Sequence, residues 1–96
     1  MDSILQNEKK CYFTGKLERL ESHHVFRGPN RRNSERFGLK VWLHHDLHSP
    51  YCRGSVHQEP KGRLNKTLLR IGQMAFEEKY GTREEFIKIF GKNWLD

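Results

Sequence analysis

Cysteine is nearly missing from this 96-residue chain: Cys11 and Cys52 are the only two. That is too few for the disulfide framework that staples small secreted folds. Apolar sequence is scarce as well, with 34% hydrophobic residues and a mean hydropathy of −0.92. No run approaches the length of a membrane span, and the opening Met1-Asp2-Ser3 lacks the charged-then-apolar plan of a signal peptide. The expectation is a cytoplasmic protein with no membrane partner. Repeats and low-complexity tracts are lacking too. A chain this short has room for one core, and a bound metal would ease its stability problem.

Positive charge and histidine are what the chain does have, and both are unevenly placed. Eighteen Lys+Arg against twelve Asp+Glu give +6 at neutral pH. Between residues 27 and 40, Arg27, Arg31, Arg32, Arg36 and Lys40 face Glu35 alone, five cations against one anion and a local +4. Such a stripe is the footprint of a polyanion, most commonly nucleic acid; a solvated basic loop is the plainer alternative. All six histidines lie between His23 and His57. Core histidines would scatter, so the clustering marks a site.

Periodicity gives an α+β order. Residues 1–9 are unpatterned and read as a flexible terminus. Leu17–Phe26 reads as a first strand, and Leu39–Leu43 as a half-buried second one, with Leu39, Val41 and Leu43 on one face. Between them lies a loop rich in Gly, Pro, Asn and Arg, with one helical turn over Ser34–Phe37. His44–His48 opens a short helix that Pro50 stops, and 49–63 is loop. Leu64, Leu68, Ile71 and Ala75 form a helical stripe with Asn65 as its N-cap and Gly81 as its end. Thr82 with Glu85 makes a capping box for a last helix carrying Phe86, Ile89 and Phe90 and closing at Gly91.

A strand ending in His23-His24, a basic loop with Asn, a second strand and a histidine-bearing helix describe a ββα-metal arrangement. At LESHHVF, the Asn-bearing loop, LKVWLHHDLH and GSVH, the chain resembles the HNH nuclease superfamily. Within that superfamily it resembles the small bacteriophage HNH-type proteins related to the recombination-enhancement nuclease Ref, from about Lys10 to Leu95, including the GQMAFEEKYG…EEFIKIFGKNWL tail. The fold implied is a small ββα-metal core over 10–60, a short two-stranded antiparallel hairpin plus helix, with two C-terminal packing helices over 64–95, all in one domain.

The resemblance implies a metal-dependent DNA endonuclease or nickase, serving phage recombination, replication or packaging, with a recombinase filament or another phage or host DNA-processing protein as partner. It makes His24 the general base, a role open to an imidazole because its ordinary pKa lies near ~6.5. It makes His23, His48 and His57 the ligands of one divalent ion. His44 is the alternative to His57, since His44 and His48 at i,i+4 share a helix face. Zn is expected on isolation, with Mn, Ni or Mg as other candidates; an all-imidazole set suits Zn or Ni better than Mg.

The usual motif Asn falls near Leu39, where there is no amide. Asn30, or failing it Asn33, is expected to brace the base or the loop backbone. Arg27, Arg31, Arg32, Arg36 and Lys40 would hold DNA phosphates. Where relatives carry a zinc knuckle, Cys11 stands with Thr14, His44 and Leu47, too few ligands for a closed site. Tyr12, Phe13 and Leu47 are then the expected apolar filling, and Cys52 a bystander in a mobile loop. The alternative function is a catalytically degenerate HNH-fold module that binds DNA or protein. A zinc-finger-like regulator needs a closed site and a recognition helix, and the sequence supplies neither.

Overall fold

Val41 and Leu43, two apart on an extended segment, bury one face of a strand against helices. The computed structural model describes residues 2–96, so Met1 lies outside it. Strands β1 (Leu20–His24) and β2 (Lys40–His44) form a two-stranded antiparallel sheet in which His23 faces Val41 and Glu21 faces Leu43. Partners directly opposite share a face, so Glu21 and His23 both point to the inner side. A 3₁₀ turn (Gly28–Asn30) and helix α1 (Arg31–Phe37) join the strands. Then follow α2 (His45–His48), α3 (Arg63–Lys79) and α4 (Arg83–Phe90). The fold is α+β, and no described helix is long and apolar enough to cross a membrane.

Residues 2–6 depart from the expected loose terminus. Ser3 Oγ donates to the Lys40 carbonyl at 2.5 Å, Ile4 N–H to the Gly38 carbonyl at 2.9 Å, and Trp42 N–H to Gln6 Oε1 at 2.6 Å. Strand β2 would otherwise present a bare edge, and this segment satisfies it. Gly38 is needed at the crossing. It sits at φ +69°, and a Cβ there would collide with the Asp2 carbonyl oxygen.

The core gathers Val25, Phe26, Leu39, Val41, Leu43 and Val56 with Leu68, Leu69 and Phe76 of α3 and Phe86 and Phe90 of α4. The buried stripe of α3 runs Asn65, Leu68, Leu69, Gly72, Gln73 and Phe76, rotated from the apolar stripe read in the sequence. Two of its members are polar and hold other parts of the chain, although Asn65 Oδ1 is buried with no partner. Asn65 is not the N-cap, which is Gly62; its Nδ2 donates to the Pro60 carbonyl at 2.8 Å. Gln73 accepts Trp94 N–H and donates to Glu77 and Asn93, mooring the end of the chain. The Thr82–Glu85 capping box is formed as read.

Gly72 lets α3 approach the hairpin. A Cβ there would lie 2.9 Å from both Phe26 Cε2 and Val25 Cγ1. Gly72→Val is expected to overpack this contact and cost about 1–3 kcal/mol, read as a lower urea midpoint. An unchanged midpoint would show that the hairpin and α3 are not held at this distance.

Candidate metal centre

Three stretches of chain deliver imidazoles to one place. His23 comes from the inner face of β1. His48 ends α2, a single turn begun at the close of β2. His57 comes from the loop after α2, which is not slack: Val56, fully buried, donates its N–H to the Leu47 carbonyl at 2.9 Å, and buried Ser55 donates Oγ–H to the Ser49 carbonyl at 2.5 Å. Those bonds fold residues 49–57 back over α2 and set His57 beside His48. One nitrogen from each of His23, His48 and His57 lies within 4.8 Å of the other two. Among the described residues this is the one group of three or more His, Cys, Asp or Glu side chains so arranged.

His23 is 2% exposed and its Nε2 is buried with no hydrogen-bond partner. A buried polar atom left unpaired is costly unless something pairs with it. Burial first, then the neighbouring His48, His57, Arg27 and His24, push its pKa down to about 3, so the ring is neutral and its lone pair available. Burial first, then His48 and Arg27, also lower His57, against an opposing pull from Glu21. Neutral imidazoles with an orphaned nitrogen fit a cation such as Zn or Ni.

Glu21, which sequence reasoning passed over, organises the second layer. Its Oε1 accepts His48 Nδ1–H at 2.7 Å and its Oε2 accepts His45 Nδ1–H at 2.8 Å. The bonds from His45 and then His48 hold its carboxyl below the usual range. With Nδ1 protonated, His48 turns the lone pair of Nε2 toward the other two rings, as in carboxylate–histidine–metal arrangements. The signal was present: Glu21 and His23 are two apart on a strand, hence on one face. Glu21→Gln is expected to weaken Zn binding about 10–100-fold in a calorimetric titration, because the amide cannot accept from both rings. An affinity equal to that of the parent chain would remove Glu21 from the site.

His24 ends β1 on the other face, opposite Lys40. Because the strand stops there, His24 still borders the cavity of about 270 Å³ that Ser22, His23, Arg27, Arg31, His48 and His57 line. Its Nε2–H donates to Glu35 Oε1 at 2.9 Å, and its Nδ1 accepts from Arg31 Nε at 3.4 Å. Glu35 Oε2 also accepts from Lys40 Nζ at 2.9 Å. Glu35 therefore orients His24 from behind, another partnership missed in the sequence.

Comparison with protein-family models, with curated proteins and with solved structures finds no match for this chain. His44 does not join the cluster. The helix begins only at His45, so His44 is its extended N-cap, and its buried Nδ1 accepts Asp46 N–H at 3.1 Å. Two histidines four apart share a face only when both are helical.

Asn30 does not brace the base; its Nδ2 donates to the Phe90 carbonyl at 2.8 Å, and Asn33 reaches Asn30 Oδ1 and the Ile89 carbonyl. These bonds satisfy the last carbonyls of α4 and fix the basic loop. Buried Ser34, which donates to the Phe26 carbonyl at 2.7 Å and accepts Phe26 N–H at 2.9 Å, ties α1 to the strand.

Of the basic residues, Arg27 and Arg31 line the histidine cavity. Arg31, Arg32 and Arg36 line an adjoining hollow of about 800 Å³, of which His24 is also a wall. Lys40 is turned away to Glu35. At the knuckle, Cys11 is buried and Tyr12 packs on the core, while Phe13 stays 39% exposed and so does not fill the space.

Proposed function

We propose that this chain is a metal-dependent DNA endonuclease or nickase of HNH type, acting in bacterial cytoplasm on phage DNA. One observation carries the reading. Three imidazoles from separate segments converge on a point, and a fourth, His24, borders the same cavity with its own orienting carboxylate and an arginine beside it.

His23, His48 and His57 would hold one divalent ion, Zn on isolation and Mn, Ni or Mg as alternatives. Such an ion supplies charge neutralisation at the phosphate and stabilises the leaving oxygen. His24 is the base: with Nε2–H committed to Glu35, its Nδ1 lone pair takes a proton from water once Arg31, which donates to it at 3.4 Å, has turned to the substrate phosphate. Glu35 fixes that tautomer and stabilises the imidazolium once formed, the part a third group plays behind a base. Arg31, beside Nδ1, places a phosphate oxygen within reach of the activated water. Arg32 and Arg36 track the neighbouring phosphates, so binding weakens steeply with salt. No base-reading helix enters a groove in this reading, and sequence specificity is low.

The test is nicking of a supercoiled plasmid by the purified chain with Mn, Mg, Ni, Co or Zn against a chelator control. Nicking that requires metal is expected. A folded, DNA-binding chain that turns over with none of these ions is instead a binding module, and the enzymatic reading falls.

A further inference from the structure

Arg27 sits inside the histidine cavity, half-buried, with Nη1 donating to His57 Nδ1 at 2.6 Å. That bond and the Glu21–His48 bond together set the direction of each bond in the chain of contacts. Guanidinium only donates, so His57 Nδ1 is an acceptor and the ring carries its proton on Nε2. That Nε2–H points at His48 Nε2, 3.0 Å away, and His48 Nε2 is the acceptor because His48 Nδ1–H is given to Glu21. A proton thus lies between two of the three nitrogens that a shared cation would need.

A cation held by both rings and this hydrogen bond exclude each other. If His57 binds through Nε2, its proton moves to Nδ1, where it meets the Arg27 donor head-on. If His57 binds through Nδ1, Arg27 is displaced directly. A guanidinium and a divalent ion on one ring also repel strongly in a partly desolvated cavity. Each route breaks the Arg27–His57 contact.

We propose that Arg27 is a coupling residue: its guanidinium holds His57 until a metal ion is taken up, and is then released to grip a DNA phosphate beside Arg31. The proposal rests on the metal-dependent, DNA-directed reading of the site. Metal and DNA both favour Arg27 off His57, so linkage makes each tighten the other by the same factor. The released fork suits bidentate phosphate binding. Arg27 acts here through His57 and through phosphate, as a positioning residue.

Calorimetric titration of Zn into the His24→Ala chain, with and without a short DNA duplex, tests this without consuming the duplex. The duplex is expected to tighten Zn binding about tenfold, within the roughly 5- to 150-fold range usual for coupled sites. In the same background, Arg27→Met and Arg27→Gln are each expected to bind Zn about tenfold more tightly with no duplex present, and to respond to it less than about twofold. Circular dichroism checks that each variant is folded, and either one suffices.

If both variants bind Zn no more tightly than the parent, or keep its full response to the duplex, the coupling is overturned. The second outcome would mean that the duplex merely concentrates cations around itself. A chain with Arg27 in place that takes up Zn and nicks plasmid, yet shows no such differences, loses this inference alone. One that takes up no metal loses the function reading as well.

Discussion

His24→Ala is expected to lower plasmid nicking by about 10²–10⁴-fold, the usual contribution of a positioned general base, while DNA retention in a gel-shift assay at fixed salt stays within about twofold, since the phosphate-binding charge is untouched. The asymmetry is the informative part. His24 is tied to Glu35 and Arg31 but is not among the three rings that converge for a cation. Zn uptake by the variant should therefore be unchanged. Cleavage retained at matched metal and purity would remove His24 as the base. Loss of Zn binding along with cleavage would instead move His24 into the metal shell. Glu35→Gln should fall between variant and parent in rate, because the amide can still accept from Nε2 but no longer offsets the positive ring.

The second large effect is on stability in acid. In the presence of a chelator, the chain is expected to lose stability as pH falls from about 6.5 toward 3. The sign follows from His23. Its pKa is pushed from 6.5 to about 3 by burial and by the neighbouring imidazoles and Arg27. Above pH 6.5 the ring is neutral in both states and contributes no pH dependence. Below it the unfolded chain takes up a proton that the folded chain refuses, so the unfolded state gains.

The slope is up to about 1.4 kcal/mol per pH unit for one such group, or roughly 2 kcal/mol between pH 6.5 and 5, before most carboxylates titrate. Urea midpoints measured across that window check it, and His23→Leu should flatten the dependence. His57, lowered by the same kind of burial, leaves a residual slope in that variant. A midpoint independent of pH in the parent chain would mean that His23 is not sealed inside the fold. Saturating Zn should oppose the loss, since an ion that binds only the folded chain stabilises by mass action.

Where the signal was local, the sequence was readable. The capping box at Thr82–Glu85, the alternation of Val41 and Leu43 and the brief helix before Pro50 each need only neighbours within a turn or a pleat. His23, His48 and His57 were singled out by the crowding of histidines and by the family resemblance read from the sequence, and the fold brings those three together.

What escaped was set by distant partners. Residues 2–6 have no periodicity, and their order comes from the edge of a strand more than thirty residues away. Glu21 and Glu35 look like ordinary surface acids until the imidazoles they hold are placed beside them. His44 was misread because a spacing of four was taken as helical, whereas the backbone there is still extended. Asn65 was misread because an Asn near a helix start can reach back to a loop carbonyl from inside the first turn as readily as cap it.

The clasp between the arginine loop and the far end of the chain has a genetic consequence. A nonsense codon anywhere between 83 and 88 spares α3, all six histidines and all four arginines of the basic stripe, so by inventory the product looks intact. It lacks the carbonyls of residues 89 and 90, to which Asn33 and Asn30 are fastened. Such a product keeps the chemical groups and loses the frame that aims them. Its defect would be mended not by restoring any histidine or arginine but by supplying the missing last helix as a separate peptide.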